Sequence, residues 1–539
     1  MSQPSAKAAY PSADAALAAA RAARQPAGSA AELAAAEAAV QMAPERSDVW
    51  IALAGAATRL QLPERAEAAQ LKALETVTDP LTRDRLLVDR AWSLAGQSRY
   101  AEALAIASVD RPLLKNDPIS RHILGATFMA VGLGAEALPH LEFAAAGQPG
   151  RVDILFNLAV IYHSLGRTDE AEATLETLLQ AAPNHLPAYE FLGLLRPATP
   201  ENNQAERLKA VRGRMRPGPD AAYIDYALFK QLDDLGRRDE AWEVLTRASA
   251  AKGTVKPWSV ADDEAISEAL KGLQASIPAD TGATSGTPRP IFVVSLPRAG
   301  STLVERIFAA HTKVRSLGEL EAFGRALKSG TSLGPRPYID PQIAGVGPID
   351  WAAVGTQYRD EVRGLANGAE VVTDKMPLNW WYAPAIAAAL PDATILHVRR
   401  NPMDAVFGAY KISFADAFAW SYTFEDLAAH YGVYRRLIDH YRATLGDRLI
   451  EVEYEALVND PETVTRAMLA ASGLEFEEAC LKPHLSSGSV STPSAAQVRE
   501  PITAAKIGSW RRYATQLEPL RALLEADGWV DANGDGVVA

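Results

Sequence analysis

One six-residue phrase occurs twice in the first half of the chain. Gly166-Arg167-Thr168-Asp169-Glu170-Ala171 returns as Gly236-Arg237-Arg238-Asp239-Glu240-Ala241, 70 residues later, or twice 35. Prolines keep a similar interval: Pro44, Pro80, Pro118, Pro149 and Pro183 lie 36, 38, 31 and 34 residues apart. Between them runs an aromatic–small pattern, as in Leu155, Leu158, Ala159, Tyr162, then Gly166 and Ala171. The intervening sequence is rich in Ala, Leu and Glu, which favour helix. A period near 34 constrains the fold strongly. Two helices pack closely where Gly and Ala permit it, and a proline is expected to end the second. Such a pair cannot bury its apolar face alone, so neighbouring pairs must stack. The spacing predicts repeats over 31–250, with a helical lead-in at 1–30.

The texture changes after residue 250. Ile277 to Pro288 holds small, turn-forming and proline residues, which is linker composition. The linker is expected over 251–289, with a helix inside it at about 261–276. From Ile291 the pattern switches to short apolar runs. Ile291-Phe292-Val293-Val294-Ser295 reads as a buried strand, and further strands are expected at 370–373, 393–398 and 448–453. Helical segments lie between them, for example 461–472. Strands alternating with helices predict a parallel α/β sheet in a domain spanning 290–539.

Charge narrows the partners. Residues 291–539 carry 24 basic and 30 acidic groups, and residues 1–290 carry 30 and 36. Neither half is basic, so nucleic-acid binding is not expected. An anion would have to be held by a few placed cations. Residues 1–17 show no basic region followed by an apolar one, so no secretory signal is expected. No apolar run is long enough for a membrane span. Cys480 is the single cysteine, which excludes an intramolecular disulfide framework or a Cys-rich zinc site. These features fit a cytoplasmic location.

The first strand runs into Leu296-Pro297-Arg298-Ala299-Gly300-Ser301-Thr302-Leu303 and then an apolar helix at 304–310. Unpaired N–H groups and the dipole at a helix start attract an anion. Gly300 permits close backbone approach, Ser301 and Thr302 supply hydroxyls, and Arg298 supplies a planar cation. The loop lacks the Lys of the G-x-x-x-x-G-K-[ST] motif, which disfavours a Mg²⁺-dependent kinase or ATPase.

The repeats resemble tetratricopeptide repeats (TPR). Pro297 to Leu303 resembles the 5′-phosphosulfate loop of sulfotransferases, with Ala299 and Ser301 replacing the usual Ser and Thr. Ile395 to Asp404 resembles the strand–loop that binds the 3′-phosphate of 3′-phosphoadenosine 5′-phosphosulfate (PAPS). Thr373 to Asn379, and Gln497 to Ile502 followed by Lys506 to Arg511, complete four motifs in family order. Together they resemble the bacterial tetratricopeptide-repeat sulfotransferases, relatives of the tyrosylprotein sulfotransferases. The resemblance implies an all-α TPR solenoid followed by an α/β parallel-sheet, P-loop-like sulfotransferase domain. It implies PAPS as cofactor, no metal, and an acceptor that is a peptide (a protein tyrosine among them), a glycan or a small molecule.

The same resemblance suggests the roles. Glu319, in Leu317-Gly318-Glu319-Leu320-Glu321, is the expected general base, with Glu321 as the alternative. Lys375 and Arg298 are the expected catalytic cations. Pro297, Arg298, Ala299, Gly300, Ser301, Thr302 and Leu303 would hold the 5′ end. Arg400 would hold the 3′-phosphate, with Gly408 where the family usually has Ser. Arg499 would replace the charge of a Lys that stands as Glu500 here. Lys506, Gly508 and Trp510 would complete the cofactor segment. Arg399 could instead pair with Asp404. The repeats would recognise the acceptor or a protein partner, and a homodimer stays open. The rival reading is a TPR scaffold whose sulfotransferase-like domain is impaired at Gly408 and Glu500. His311 reads as packing or capping. Asp531 to Gly536 imitates half of an EF-hand loop without its position-12 Glu, and reads as an acidic tail.

Overall fold

The structure, a computed structural model, describes residues 10–25, 27–255, 257–329, 331, 333, 341–414, 418–486 and 499–537. It divides into two compact units, Met1–Pro149 and Gly150–Ala539.

The first unit is helical: α1 (Ala13–Ala22), α2 (Ala30–Met42), α3 (Ser47–Arg59), α4 (Pro63–Thr76), α5 (Pro80–Gly96), α6 (Tyr100–Ala107), α7 (Pro118–Ala130) and α8 (Gly134–Gly147). Polar side chains cap the starts of α1, α2, α5 and α7. Ser12 accepts from Ala15 N and Ser29 from Glu32 N, which satisfies first-turn donors. Pro44 and Pro149 follow the ends of α2 and α8, as expected, but two other prolines act differently. Pro80 and Pro118 open helices at their first position rather than closing them, because the N–H they lack has no partner there anyway. Small residues set the packing distance: a Cβ on Gly125 would lie 2.7 Å from Leu141.

The second unit continues with α9 (Val152–Ser164), α10 (Thr168–Ala181), α11 (Leu186–Leu194), α12 (Ala205–Arg212), α13 (Pro219–Asp234), α14 (Arg238–Gly253) and α15 (Val260–Ala275). Asp225 on α13, 1 % exposed, binds Arg212 of α12 at 3.0 Å and Arg247 of α14, tying three helices together. Trp242 of α14 packs its ring 5.7 Å from Tyr513 and 6.3 Å from Tyr410 and Phe424. The expected linker is fastened rather than free. Thr281 donates to the Ala388 carbonyl at 3.0 Å, Gly286 N donates to Asp392, and Arg359 donates to the Gly286 and Pro288 carbonyls.

The α/β part comprises β1 (Arg289–Ser295), α16 (Ser301–Ala309), β2 (Val314–Ser316), α17 (Ala322–Ser329), α18 (Trp351–Ala366), β3 (Val371–Asp374), α19 (Ala383–Ala389), β4 (Thr394–Arg399), α20 (Pro402–Tyr410), α21 (Phe424–Leu445), β5 (Leu449–Glu453), α22 (Tyr454–Asn459), α23 (Pro461–Ala471) and α24 (Glu518–Ala526). The strands form one parallel sheet, ordered β2-β3-β1-β4-β5. Four strands fall where expected, and β2, three residues long, is additional. One sheet face packs Ile291, Val293, Leu396, Val398 and Val452 against Val304, Ile307, Phe308 and Leu469. On the other, Phe292 meets Phe323 and Tyr358, and His397 meets Tyr434 at 2.5 Å. The buried β1 lies between β3 and β4, so the order reverses there. Loops at the strands' C-terminal ends open a crevice at such a point. Among the described residues, no helix is long and apolar enough to cross a membrane.

The Asp225 clamp yields a stability prediction. Asp225→Asn strips Arg212 and Arg247 of their charge partner. The loss should be about 3 kcal/mol, the low end for an uncompensated buried charge because Arg247 is 44 % exposed. Denaturant unfolding should report it, and a change below about 0.5 kcal/mol would contradict this account.

Candidate functional site

The loop after β1 is shaped by two residues in left-handed conformation, Arg298 (φ +70°) and Gly300 (φ +105°). Leu296 and Ala299 anchor it, at 4 % and 2 % exposure. Gly300 precedes α16 directly, so Ser301 and Thr302 form the helix's first turn and their backbone groups face the crevice end. Glycine is required there by a neighbour as well as by φ. A Cβ would lie 2.4 Å from the Tyr454 ring. Leu303 packs onto the core below.

Arg400 lies close enough to Arg298 to disfavour its charge. Burial, with Arg400 beside it, brings the Arg298 guanidinium down to about 10, still cationic at neutral pH. Arg400 donates to the Arg298 carbonyl at 3.2 Å and to the Lys506 carbonyl at 2.6 Å. Its guanidinium lies 4.6 Å from the centre of the Tyr454 ring, and its buried Nε has no hydrogen-bond partner. Lys411, at the end of α20, joins this cation group. Burial, then the surrounding arginines, lower it to about 8 against the opposing pull of Asp233.

Asp404 organises the remaining wall. Its carboxylate accepts from Gly508 N at 2.6 Å, Ser509 Oγ at 2.9 Å and Trp510 N at 3.0 Å. It also lies 3.7 Å from Arg400. The pairing with Asp404 suggested for Arg399 therefore falls to Arg400. Arg399 instead meets Glu453 at 3.4 Å and Glu451 at 3.8 Å, because β4 pairs with β5 and sets Glu453 directly across from it. Gly508 holds the turn at φ +65°. Trp510 is buried beneath Gly534, where a Cβ would lie 2.5 Å from its ring. Lys506 presents its carbonyl to Arg400 and leaves its side chain exposed.

A second group gathers between β2 and β3. Lys375, 1 % exposed, is ion-paired with Glu319 and lies 3.8 Å from Glu305 of α16. Glu305 accepts from Ser316 Oγ at 2.7 Å. Lys375 N donates to the Gly318 carbonyl at 2.9 Å, which fixes the Gly318-Glu319 turn beside the strand end. The Glu319 side chain is 44 % exposed, so one flank is open. Below it Asp374 is fully buried and accepts from Tyr358 Oη at 3.0 Å. Desolvation, reinforced by Glu305, raises its carboxyl to about 8.

Two expected residues have other engagements. Arg499 donates to the Ser164 carbonyl at the end of α9, and its guanidinium covers Gly166, where a Cβ would lie 2.7 Å away. It is committed to a repeat turn rather than to the Arg298–Arg400 pair. Gly408 sits under Arg298: a Cβ there would approach the Arg298 Cβ to 3.0 Å. Gln497 and Val498 lie outside the described residues. His311 bonds to Glu475 O and Lys313 N, in keeping with packing and capping. Asp531 folds onto its own loop, accepting from Asn533 N and Asp535 N.

Sequence reading missed Glu305, Asp374, Asp404, Lys411 and Tyr454 as site members. The available signals were a charged residue inside the apolar helix after the loop (Glu305) and an aromatic at the end of a strand (Tyr454).

Comparison with known proteins agrees with this architecture. Residues 290–478 match the model of the sulfotransferase family, and residues 128–195 match that of the tetratricopeptide repeat. The chain thus joins helical repeats, part of which match the tetratricopeptide-repeat model, to a parallel-sheet domain, part of which matches the sulfotransferase-family model. An uncharacterized protein of Aquifex aeolicus (strain VF5) is 24 % identical over 417 residues, 73 % of this chain and 53 % of that protein. The chain thus spans about half the length of that relative. Among solved structures, the sulfotransferase domain of the Synechococcus PCC 7002 olefin synthase aligns at 22 % identity and TM-score 0.33, covering 47 % of this chain and 98 % of that one. Mouse sulfotransferase SULT7A1 aligns at 13 % identity and TM-score 0.29, covering 50 % and 91 %.

The Asp374 carboxyl yields a pH prediction. An unfolded Asp releases its proton near pH 4, whereas the folded site holds it to about 8. The stabilisation that this proton provides is complete below about pH 4 and is lost as pH rises to about 8. Asp374→Asn keeps an acceptor for Tyr358 but cannot ionise. It should therefore raise the melting temperature more at pH 8 than at pH 5. Equal shifts at both would contradict the raised pKa.

Proposed function

We propose that the chain is a PAPS-dependent sulfotransferase acting on an acceptor hydroxyl, with protein tyrosine among the candidates. The observation that carries the reading is the sheet order, in which the adjacent parallel strands β3, β1 and β4 lead into the Lys375–Glu319 pair, the Arg298 loop before α16, and Arg400. The donor set fits a multiply anionic nucleotide. Arg298, with the backbone amides of Ser301 and Thr302, would hold the 5′ end. Arg400, whose Nε has no protein partner, would hold the 3′-phosphate, beside the Gly508–Trp510 turn. PAPS supplies an activated sulfonate when bound.

The chain's own residues account for the rest. Glu319, open on one flank, accepts the acceptor's proton. Lys375 is the positive group nearest that carboxylate. As Glu319 becomes neutral, Lys375 loses one of its two counter-charges and is freed to stabilise negative charge developing on the donor's phosphate. Glu305 keeps the ammonium in place meanwhile. The repeats are read as the element that recruits an acceptor or a protein partner, since stacked helix pairs build extended surfaces. A single cysteine, buried and unpaired, suits a reducing cytoplasm.

Gly408 favours a second reading, the impaired scaffold, because its position lacks a hydroxyl. Calorimetry with 3′-phosphoadenosine 5′-phosphate (PAP) separates the two. Absence of PAP binding at millimolar concentration would sink the enzyme reading.

Glu319→Gln should lower kcat by at least about 100-fold with PAP affinity nearly unchanged. If Glu321→Gln does this instead, the base is misassigned. Arg400→Ala should weaken PAP binding by about 2–4 kcal/mol, the range for truncating a desolvated charged contact. Isothermal calorimetry reads it directly, and an unchanged Kd would remove Arg400 from the site.

A further inference from the structure

Beside the aromatic packing of Trp242, one carboxylate of the helical repeats reaches the candidate cofactor wall. Asp233, near the end of α13 and 12 % exposed, accepts from Tyr513 Oη at 2.8 Å and from Arg512 at 3.3 Å. Tyr513 is fully buried, with Trp242 of α14 at 5.7 Å and Phe407 of α20 at 5.5 Å between ring centres. Arg512 in turn donates to the Ser509 carbonyl at 3.4 Å. Arg512 and Tyr513 stand two and three residues after Trp510, the last residue of the Gly508–Trp510 turn.

That turn belongs to no sheet and only to a short 3₁₀ segment, Ser509–Tyr513. Its position depends on what grips it from outside. Asp404 holds it from the α/β side, and Asp233 holds its continuation from the repeat side. Asp233 also faces a crowd of like charge, since Lys411 and Arg512 lie beside Arg298 and Arg400. Among the described residues, Asp233, Asp404 and Glu455 are carboxylates that face this group, Asp233 from the repeat side. Without the Asp233 charge, Arg512 and Lys411 would repel each other and the arginines, and the turn would lose its outer anchor.

We propose that Asp233 is a positioning residue of the cofactor site. It holds Arg512 and Tyr513, and through them the 506–510 segment, against the phosphate loop. The last repeat pair thereby completes the site, and cofactor affinity depends on how α13 and α14 sit. The inference rests on the sulfotransferase reading above. Linkage makes the dependence reciprocal, so bound cofactor must also stabilise α13–α14.

The test uses the full chain and PAP. Asp233→Asn is nearly isosteric and keeps an acceptor for Tyr513 while removing the charge. Its Kd for PAP should rise about tenfold, the scale of a lost charged hydrogen bond. In turnover assays KM for PAPS should rise far more than kcat falls, with the melting temperature unchanged. Asp233→Glu should restore most of the affinity, and Tyr513→Phe should weaken it in the same direction. Asp169→Asn, on an exposed repeat carboxylate paired with Arg196, should leave binding unaltered. Hydrogen exchange of α13–α14 amides should slow when PAP binds to the wild type. Wild-type Kd in Asp233→Asn overturns the inference and leaves the sulfotransferase reading standing. So does a parallel fall of kcat and melting temperature with KM unmoved, which would make Asp233 a purely structural contact. Failure of the wild type to bind PAP overturns both.

Discussion

Like charges held close together are the constraint around which the α/β domain is built. Arg298, Arg400 and Lys411 crowd one corner of a region whose net charge is negative. Such a cluster is unfavourable unless each cation is tied down. Arg400 is fixed by two backbone carbonyls, one from the loop after β1 and one from Lys506, and by the face of Tyr454. Those ties connect segments about a hundred residues apart in sequence. The cations therefore serve as fasteners of the crevice as well as its electrostatic character. A dianionic ligand would relieve this repulsion.

The sheet order determines which loops can share that corner. With β1 between β3 and β4, the loops carrying Arg298, Lys375 and Arg400 emerge side by side at the same edge. The short strand β2 beyond β3 brings Glu319 to Lys375, through the Leu317 N bond to the Thr373 carbonyl. On the other side, α20 carries Asp404 to the 508–510 turn and rests against Trp242 of the repeats. The aromatic packing around Trp242 is apolar and gives close apposition. The Asp233 and Asp404 bonds give it direction.

Much of this was legible in the sequence, and the limits have physical causes. The repeat period, the four longer strands and the loop motif are local patterns, written in adjacent residues. Glu319, Lys375 and Arg400 could be named as candidates because each stands at a strand end or beside a glycine within a recognisable motif. Glu305 escaped notice because one acidic residue on an apolar helix has no local mark of its purpose. It becomes visible only when Lys375, 70 positions later, arrives beside it. Asp374 likewise gains its raised pKa from burial and from Tyr358, neither of which adjacent sequence reveals. Arg499 was placed by its charge and by its position beside Glu500 in the Gln497–Ile502 motif. In the fold its reach is spent on the Ser164 carbonyl and the space above Gly166, a contact spanning 335 residues. That same Gly166 opens the repeat phrase, so a residue chosen for helix-turn geometry also admits the arginine.

Gly408 shows how a departure from a family pattern can be a packing solution. The missing side chain is the space that the Arg298 stem uses, since a Cβ at 408 would crowd the Arg298 Cβ to 3.0 Å. Arg298 itself is held at φ +70°, a conformation that costs a non-glycine residue energy. A serine at 408 would have to push against a backbone already strained and flanked by the buried Leu296 and Ala299. The lost hydroxyl is one neutral donor, whereas the space it leaves lets a full charge lie deeper in the crevice. One turn further along α20, Lys411 adds another cation to the same group. For binding a phosphate in a low-dielectric pocket, charge outweighs a hydroxyl, so on the sulfotransferase reading Gly408 alters how the anion is gripped without removing the grip.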